Sequence, residues 1–132
     1  MNEHGSAGIT LIGVAAVVLL MVAALGSVGA YLNARVQVSA AADAAALAAA
    51  PVTFLPFGAE GGPADEAARF ALLNGAELES CRCPIDRSFS PRTVEVRVGR
   101  TIDLWPAGTI RVSAVSRAEF LPALLLLSLI HI

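Results

Sequence analysis

The chain has 132 residues, of which 56% are hydrophobic, with a mean hydropathy of +0.70 and a formal net charge of −2. This length leaves room for one membrane span and one small domain, and it excludes a second large domain. All nine basic residues are arginines, and they form no basic patch of the kind that neutralises phosphates, which argues against nucleic-acid binding.

The first predicted element is a helix that crosses a membrane. Residues 5–34 carry no charged side chain, and the apolar stretch 7–32 exceeds the ~20 residues that a helix needs to cross a hydrocarbon core. Because lipid offers no hydrogen-bond partners, the backbone of a lone span must be helical, and the glycines within it are tolerated. We therefore predict a retained N-terminal anchor.

A cleavable secretory signal is the alternative interpretation of this segment. A signal has a cationic start and a short apolar core, whereas here Glu3 and His4 precede a longer core. The small residues 28–30 nevertheless offer a cleavage site after Ala30. The flanking charges do not define the orientation of a span.

The alanine-rich residues 40–50 predict that the same helix continues beyond the membrane. Alanine is the strongest helix former, which outweighs the strand-like alternation of residues 31–39. We predict one helix from about Ala7 to Ala50, roughly 65 Å long and ended by Pro51. Small residues recur on one face, either as a surface for another helix or because alanine is abundant; they are Gly26, Ala30, Ala34, Ala42, Ala46 and Ala50.

The rest of the chain predicts a small α+β domain. Prolines and glycines make residues 51–63 a loop, and end signals bracket a short helix from about Ala64 to Asn74. Its apolar residues are expected to face a sheet; they are Ala67, Phe70, Ala71 and Leu73.

Alternating residues then predict an antiparallel meander. Thr93–Val98 reads as a half-buried strand, the extended pattern continues through Arg100–Trp105, and Thr109–Ala118 forms another strand after a turn at 106–108. We expect Trp105 to lean into the small core; an exposed docking aromatic is the alternative. Cross-strand pairing with the neighbouring acids Glu95 and Asp103, rather than a local basic face, is expected for the arginines of these strands, which are Arg97, Arg100 and Arg111.

No catalytic or metal-binding constellation is visible. Neither histidine has a suitable setting, so we expect no enzyme, no cofactor, no metal and no small-molecule substrate. Cys81 and Cys83 are the reactive candidates. They are interpreted as two thiols in a loop before the first strand, an intermolecular disulfide, or a directly bridged, easily reduced redox pair.

Residues 121–132 form an apolar tail. Its last six letters, LSLIHI, correspond to the translation of a transposon end used in preparing sequencing libraries. We expect residues 127–132, including His131, to be a read-through scar. A genuine apolar tail, too short to span a membrane by itself, is the alternative.

The N-terminal helix resembles that of a known family. Its opening residues Gly5, Ser6 and Ala7 are similar to those of the TadE- and TadG-like pseudopilins of tight-adherence (Tad, or Flp pilus) systems, in their short actinobacterial branch. The end of the helix matches the family's anchor motif at Ala34, Arg35, Ala41, Ala42, Asp43, Ala45, Ala46 and Leu47. The following domain resembles that of TadE-like members at residues 74–76, Cys81, Val94 and Val96.

The resemblance implies a single-pass structural component of a pilus-assembly or secretion system. Residues 1–50 would be the pilin-like helix and residues 64–120 the external α+β domain, with the N-terminus in the cytoplasm. Gly5 and Ser6 would be the processing site, and Arg35, Asp43 and Leu47 the anchor motif. The implied partners are the membrane and other pilus or secretion-system subunits, contacted through the N-terminal helix.

Two positions depart from the family pattern. In pilin-like proteins a glutamate five residues after the cleavage glycine neutralises the next subunit's amine, but Thr10 stands at that position here. A buried amine without its carboxylate is costly in lipid, which argues against processing at Gly5 and incorporation into a fibre. Ser39 replaces the usual Gln. A secreted binding domain with a cleaved signal and a membrane-tethered thiol redox protein are the alternative functions.

Overall fold

The structure, a computed structural model, describes the backbone of residues 4–130 and the side chains of residues 7–130. A long helix is followed by a short helix, three strands and a terminal helix. In chain order they are α1 His4–Val52, α2 Pro63–Leu73, β1 Glu77–Arg82, β2 Arg92–Leu104, β3 Gly108–Phe120 and α3 Ala123–Ile130. The strands form one antiparallel sheet in the order β1-β2-β3. The predicted α+β class is confirmed.

Helix α1 is continuous over 49 residues, or about 74 Å. It extends two residues past the predicted end, so that Pro51 lies inside its last turn. There the missing proline N–H costs little, because the chain leaves the helix at once: the Thr53 hydroxyl donates to the Ala50 carbonyl at 2.6 Å, and the Phe54 amide donates to the Pro51 carbonyl at 3.0 Å.

The core lies between the second half of α1, α2 and one face of the sheet. From Ala34 onward, one side of α1 is buried at helical spacing; its members are Ala34, Val38, Ala41, Ala42, Ala45, Ala46, Ala49 and Ala50. Alanines let the helix approach the sheet closely, and the sheet fills the interface with Val94, Val96 and Val98. These three valines are fully buried, as their alternation predicts.

Strands β2 and β3 form one long hairpin. Their register runs from Arg92 opposite Phe120 to Leu104 opposite Gly108. The two extended stretches expected at 93–98 and 100–105 are therefore a single strand. Trp105 lies at the tip of this hairpin and is 78% exposed, so its predicted core position is wrong. The buried side chain of Leu104 closes that end of the core instead.

Strand β1 occupies residues that the sequence placed in a loop. Its register against β2 shifts between Leu78 and Ser80, so Leu78 and Cys81 pair with Val98 and Val96. This bulge breaks the strict alternation by which a strand is recognised in a sequence. The first of the two cysteines is therefore a strand residue.

Helix α2 begins one residue before its predicted start. The Asp65 carboxylate accepts a 2.8 Å hydrogen bond from the Gly62 amide, and Gly75, with φ +75°, follows the end of the helix. The helix packs on α1 as well as on β1, and it buries Ala67 and Ala71. Leu73 is 68% exposed, so its predicted place against the sheet is wrong.

Candidate assembly interface on the N-terminal helix

The first half of α1 is a bare apolar rod. Its large side chains are more than half exposed, and the C-terminal domain covers none of residues 7–22; the most exposed include Ile9, Leu11, Ile12, Leu19 and Leu25. The helix is long and apolar enough to cross a membrane. Exposed to water, such a surface is unfavourable in proportion to its area, whereas lipid or neighbouring helices would remove that cost.

The second half of α1 has two unlike sides. The side opposite the buried alanines, which we call the outer face, carries the exposed residues Leu32, Val36, Ala40 and Leu47 at helical spacing. Leu32, Val36 and Leu47 are 55%, 69% and 68% exposed. This half therefore presents an apolar stripe that the chain's own domain leaves uncovered.

The anchor-motif residues contribute separately to this surface. Arg35 is exposed, and its guanidinium donates to the Tyr31 hydroxyl at 3.4 Å. Asp43 lies about 12 Å further along the helix, where its carboxylate accepts a 2.5 Å hydrogen bond from the Ser116 hydroxyl on β3. Leu47, one turn beyond, points into solvent. The motif thus combines one contact within the chain with two side chains open to a partner.

Three polar contacts hold the hairpin along α1. The Ser27 hydroxyl donates to the Trp105 carbonyl at 2.7 Å, the Arg100 guanidinium donates to the Gln37 side-chain oxygen at 2.8 Å, and Ser116 reaches Asp43. From residue 27 to residue 43 of α1, the three contacts involve hairpin residues that lie progressively farther from the hairpin tip. The tip therefore lies beside residue 27, at the end of the bare apolar rod.

The predicted processing site lies at the start of α1. Gly5 and Ser6 belong to its first turn, and their side chains lie outside those that the structure describes. Residues 1–3, including Glu3, and residues 131–132, including His131, also lie outside the described residues.

A disulfide joins Cys81 at the end of β1 to Cys83, with the two Cα atoms 5.4 Å apart. Both cysteines are partly buried against the core. Among the described side chains of residues 7–130, no three His, Cys, Asp or Glu groups converge on a point where a metal ion could bind.

Ion pairs cover the outer side of the sheet. The Arg111 guanidinium on β3 donates to the Glu79 carboxylate on β1 at 2.6 Å. The two side chains meet above Gly99 of the middle strand β2, where a Cβ atom would collide with the Glu79 carboxylate. This hydrogen bond holds the pKa of Glu79 below its ordinary value. Arg117 pairs with Glu95 directly opposite, at 2.6 Å, and likewise lowers the Glu95 pKa. Of the three arginines expected to pair with acids across strands, Arg111 does so, with acids of a strand that the sequence did not reveal, whereas Arg100 donates to Gln37 on α1.

Comparison with known families places a match on this helix. Residues 5–51 match the model of the Tad family, described as Flp pilus-assembly TadE/G-like. No match to the chain was found among the curated proteins or the solved structures. The matched segment comprises nearly all of α1, including both the bare rod and the anchor motif. The resemblance to the TadE/G-like pilus-assembly family is therefore confirmed, and it rests on α1.

Proposed function

We propose that this protein is a single-pass, pseudopilin-like structural component of a Tad/Flp-type pilus-assembly or secretion apparatus. Helix α1 crosses the cell membrane with its N-terminus in the cytoplasm, and the domain of residues 64–120 stands outside. The observation that carries the proposal is that the family match coincides with a helix whose first half is apolar and bare.

The two halves of α1 serve different contacts in this proposal. The bare rod binds lipid and, within lipid, the spans of other subunits, where packing rather than the hydrophobic effect drives association. The outer face lies beyond the membrane and contacts neighbouring subunits of the apparatus through its apolar stripe. The role is structural, and no chemical step is assigned to the domain.

Intact-mass measurement of the membrane-extracted protein from its native host tests the anchor. A mass that retains residues 6–34 supports the anchor. If residues 1–5 are absent as well, the protein has undergone pilin-type processing after Gly5. Thr10, at the position of the usual glutamate, makes retention without this cut the expected result. Loss of everything up to Ala30, with the protein free in the medium, would establish the secreted-domain alternative instead.

Site-specific photo-crosslinking tests the outer face. A crosslinker replaces Leu47 on α1 in one variant and Leu72 on α2 in the matched control, because both side chains are leucines about two-thirds exposed. We expect Leu47 adducts with a subunit of the Tad-type membrane platform or with a neighbouring pseudopilin, identified by mass spectrometry. Equal adducts from both positions, or adducts from neither, would contradict the proposed assembly face.

A further inference from the structure

Trp105 is the chain's single tryptophan, and it lies at the turn between β2 and β3. Its side chain is 78% exposed, while its carbonyl is held by the Ser27 hydroxyl at 2.7 Å. An indole at a hairpin tip could have packed on α1 but is directed outward. The position of this contact along α1 determines what the indole meets.

Ser27 marks the lower edge of the external domain. The large apolar side chains of residues 7–22 are exposed, whereas Ala23 and Ser27 are partly covered. The helix below this contact, residues 4–26, is about 35 Å long, which is close to the thickness of a bilayer's hydrocarbon core. The first charged side chain above it, Arg35, lies about 12 Å higher. With α1 crossing the membrane as proposed above and residues 4–26 filling the hydrocarbon core, residue 27 falls at the boundary between hydrocarbon and headgroups.

We propose that the hairpin tip, residues 105–107, rests in the headgroup layer of the membrane that α1 crosses, with Trp105 as an interfacial anchor. Tryptophan suits this layer because its ring is largely apolar while its N–H requires a polar partner. Tyr31, about one turn above Ser27, supplies a second aromatic ring near the same level. Asp103, exposed near the tip, keeps the hairpin from sinking deeper.

This inference rests on the span of α1 proposed above. A span alone leaves the external domain free to rotate about the helix axis and to tilt. A second lipid contact at the hairpin tip fixes both, so that the outer face of α1 is held at a constant height and direction for neighbouring subunits. The occupant of the site is the lipid surface itself.

Fluorescence quenching tests the proposal directly, because the single tryptophan reports on one site. The full chain is reconstituted into phosphatidylcholine vesicles whose lipids carry bromine either near the headgroup end or deep in the acyl chains, and aqueous iodide serves as a third quencher. Two matched controls move the tryptophan in a Trp105→Phe background. Phe89→Trp places it at the far end of the domain, about 40 Å above Ser27, and Ile12→Trp places it in the middle of the span.

We expect Trp105 to be blue-shifted relative to Phe89→Trp and quenched more by shallow than by deep bromines. Ile12→Trp should show the opposite order, and Phe89→Trp should respond to iodide alone. If Ile12→Trp is quenched but Trp105 behaves like Phe89→Trp, the span stands and the interfacial anchor is refuted. A blue-shifted Trp105 without bromine quenching would mean a protein partner and also refute it. If Ile12→Trp is not quenched, the span fails and the anchor falls with it.

Discussion

Replacing Ala45 by leucine tests whether α1 is part of the core of the C-terminal domain. Ala45 is completely buried in the contact between α1 and the rest of the domain. The substitution puts an isobutyl group where the structure holds a methyl, in an interface of alanines facing valines. Ala40, exposed on the outer face of the same helix, provides the matched control Ala40→Leu. Alanine and leucine are both strong helix formers, so helix propensity changes little in either variant.

Overpacking of this kind costs about 1–3 kcal/mol, whereas an exposed substitution usually stays within about 0.5 kcal/mol. The cost at Ala45 should lie toward the upper end, because residues on both sides of it along the buried face are also covered. Native-state hydrogen exchange of the β2 amides reports the opening of the domain, and about 1–3 kcal/mol lowers their protection about 5- to 150-fold.

The measurement uses the full chain in detergent micelles, with exchange followed by mass spectrometry on β2 peptides. We expect Ala45→Leu to lose protection and Ala40→Leu to match the unsubstituted protein. Equal protection in the two variants would refute the reasoning, because the small-residue side of α1 would then not be the surface on which the sheet packs.

Two further outcomes follow from the sheet. Val96→Ala removes a fully buried side chain and should destabilise the domain by about 2 kcal/mol in the same exchange assay, whereas Val115→Ala, 44% exposed on β3, should cost far less; similar costs would contradict the assignment of sheet faces. The hydrogen bond from Arg111 lowers the pKa of Glu79. The stability that this bond adds is therefore complete above the pKa of glutamate in the unfolded chain, about 4.3, and is lost as the pH falls through the lower pKa of the folded state. Below about pH 4.3, Glu79→Gln should flatten the fall in thermal stability, and an unchanged acid slope would count against this pair.

Local patterns were enough to predict most elements of the fold. The uncharged run and the alanines predict α1, the end signals predict α2, and the valine alternation predicts the faces of the hairpin. The sequence did not predict strand β1, because the bulge at Leu78–Ser80 interrupts the alternation of buried and exposed residues that identifies a strand. Trp105 was misplaced because strand alternation does not extend to a hairpin tip, where the chain reverses and the side chain leaves both faces of the sheet.

Only part of the candidate interface could be predicted from the sequence. Periodicity indicates that Ala34, Ala42, Ala46 and Ala50 share a face, but it cannot identify what covers that face. In the structure the partner is the chain's own sheet and α2, and this requires contacts between residues far apart in sequence. Arg35, Asp43 and Leu47 entered through family resemblance alone, and the exposure of Leu47 beside the bonded Asp43 is apparent only in three dimensions.

The internal use of the alanine face limits how subunits can meet. A neighbouring helix cannot approach α1 closely between residues 34 and 50 on that side without displacing the sheet, whose valines are buried there. Along this half of α1 it must use the outer face, where Leu32, Val36 and Leu47 can each contribute up to about 2 kcal/mol on full burial. Along residues 7–22 the described structure shows no such restriction, because apart from the helix's own backbone no described atom lies within 4 Å of a Cβ added at Gly8 or Gly13. Contacts on the bare apolar rod are thus free to form on any side of α1, while those on its second half are directed to one.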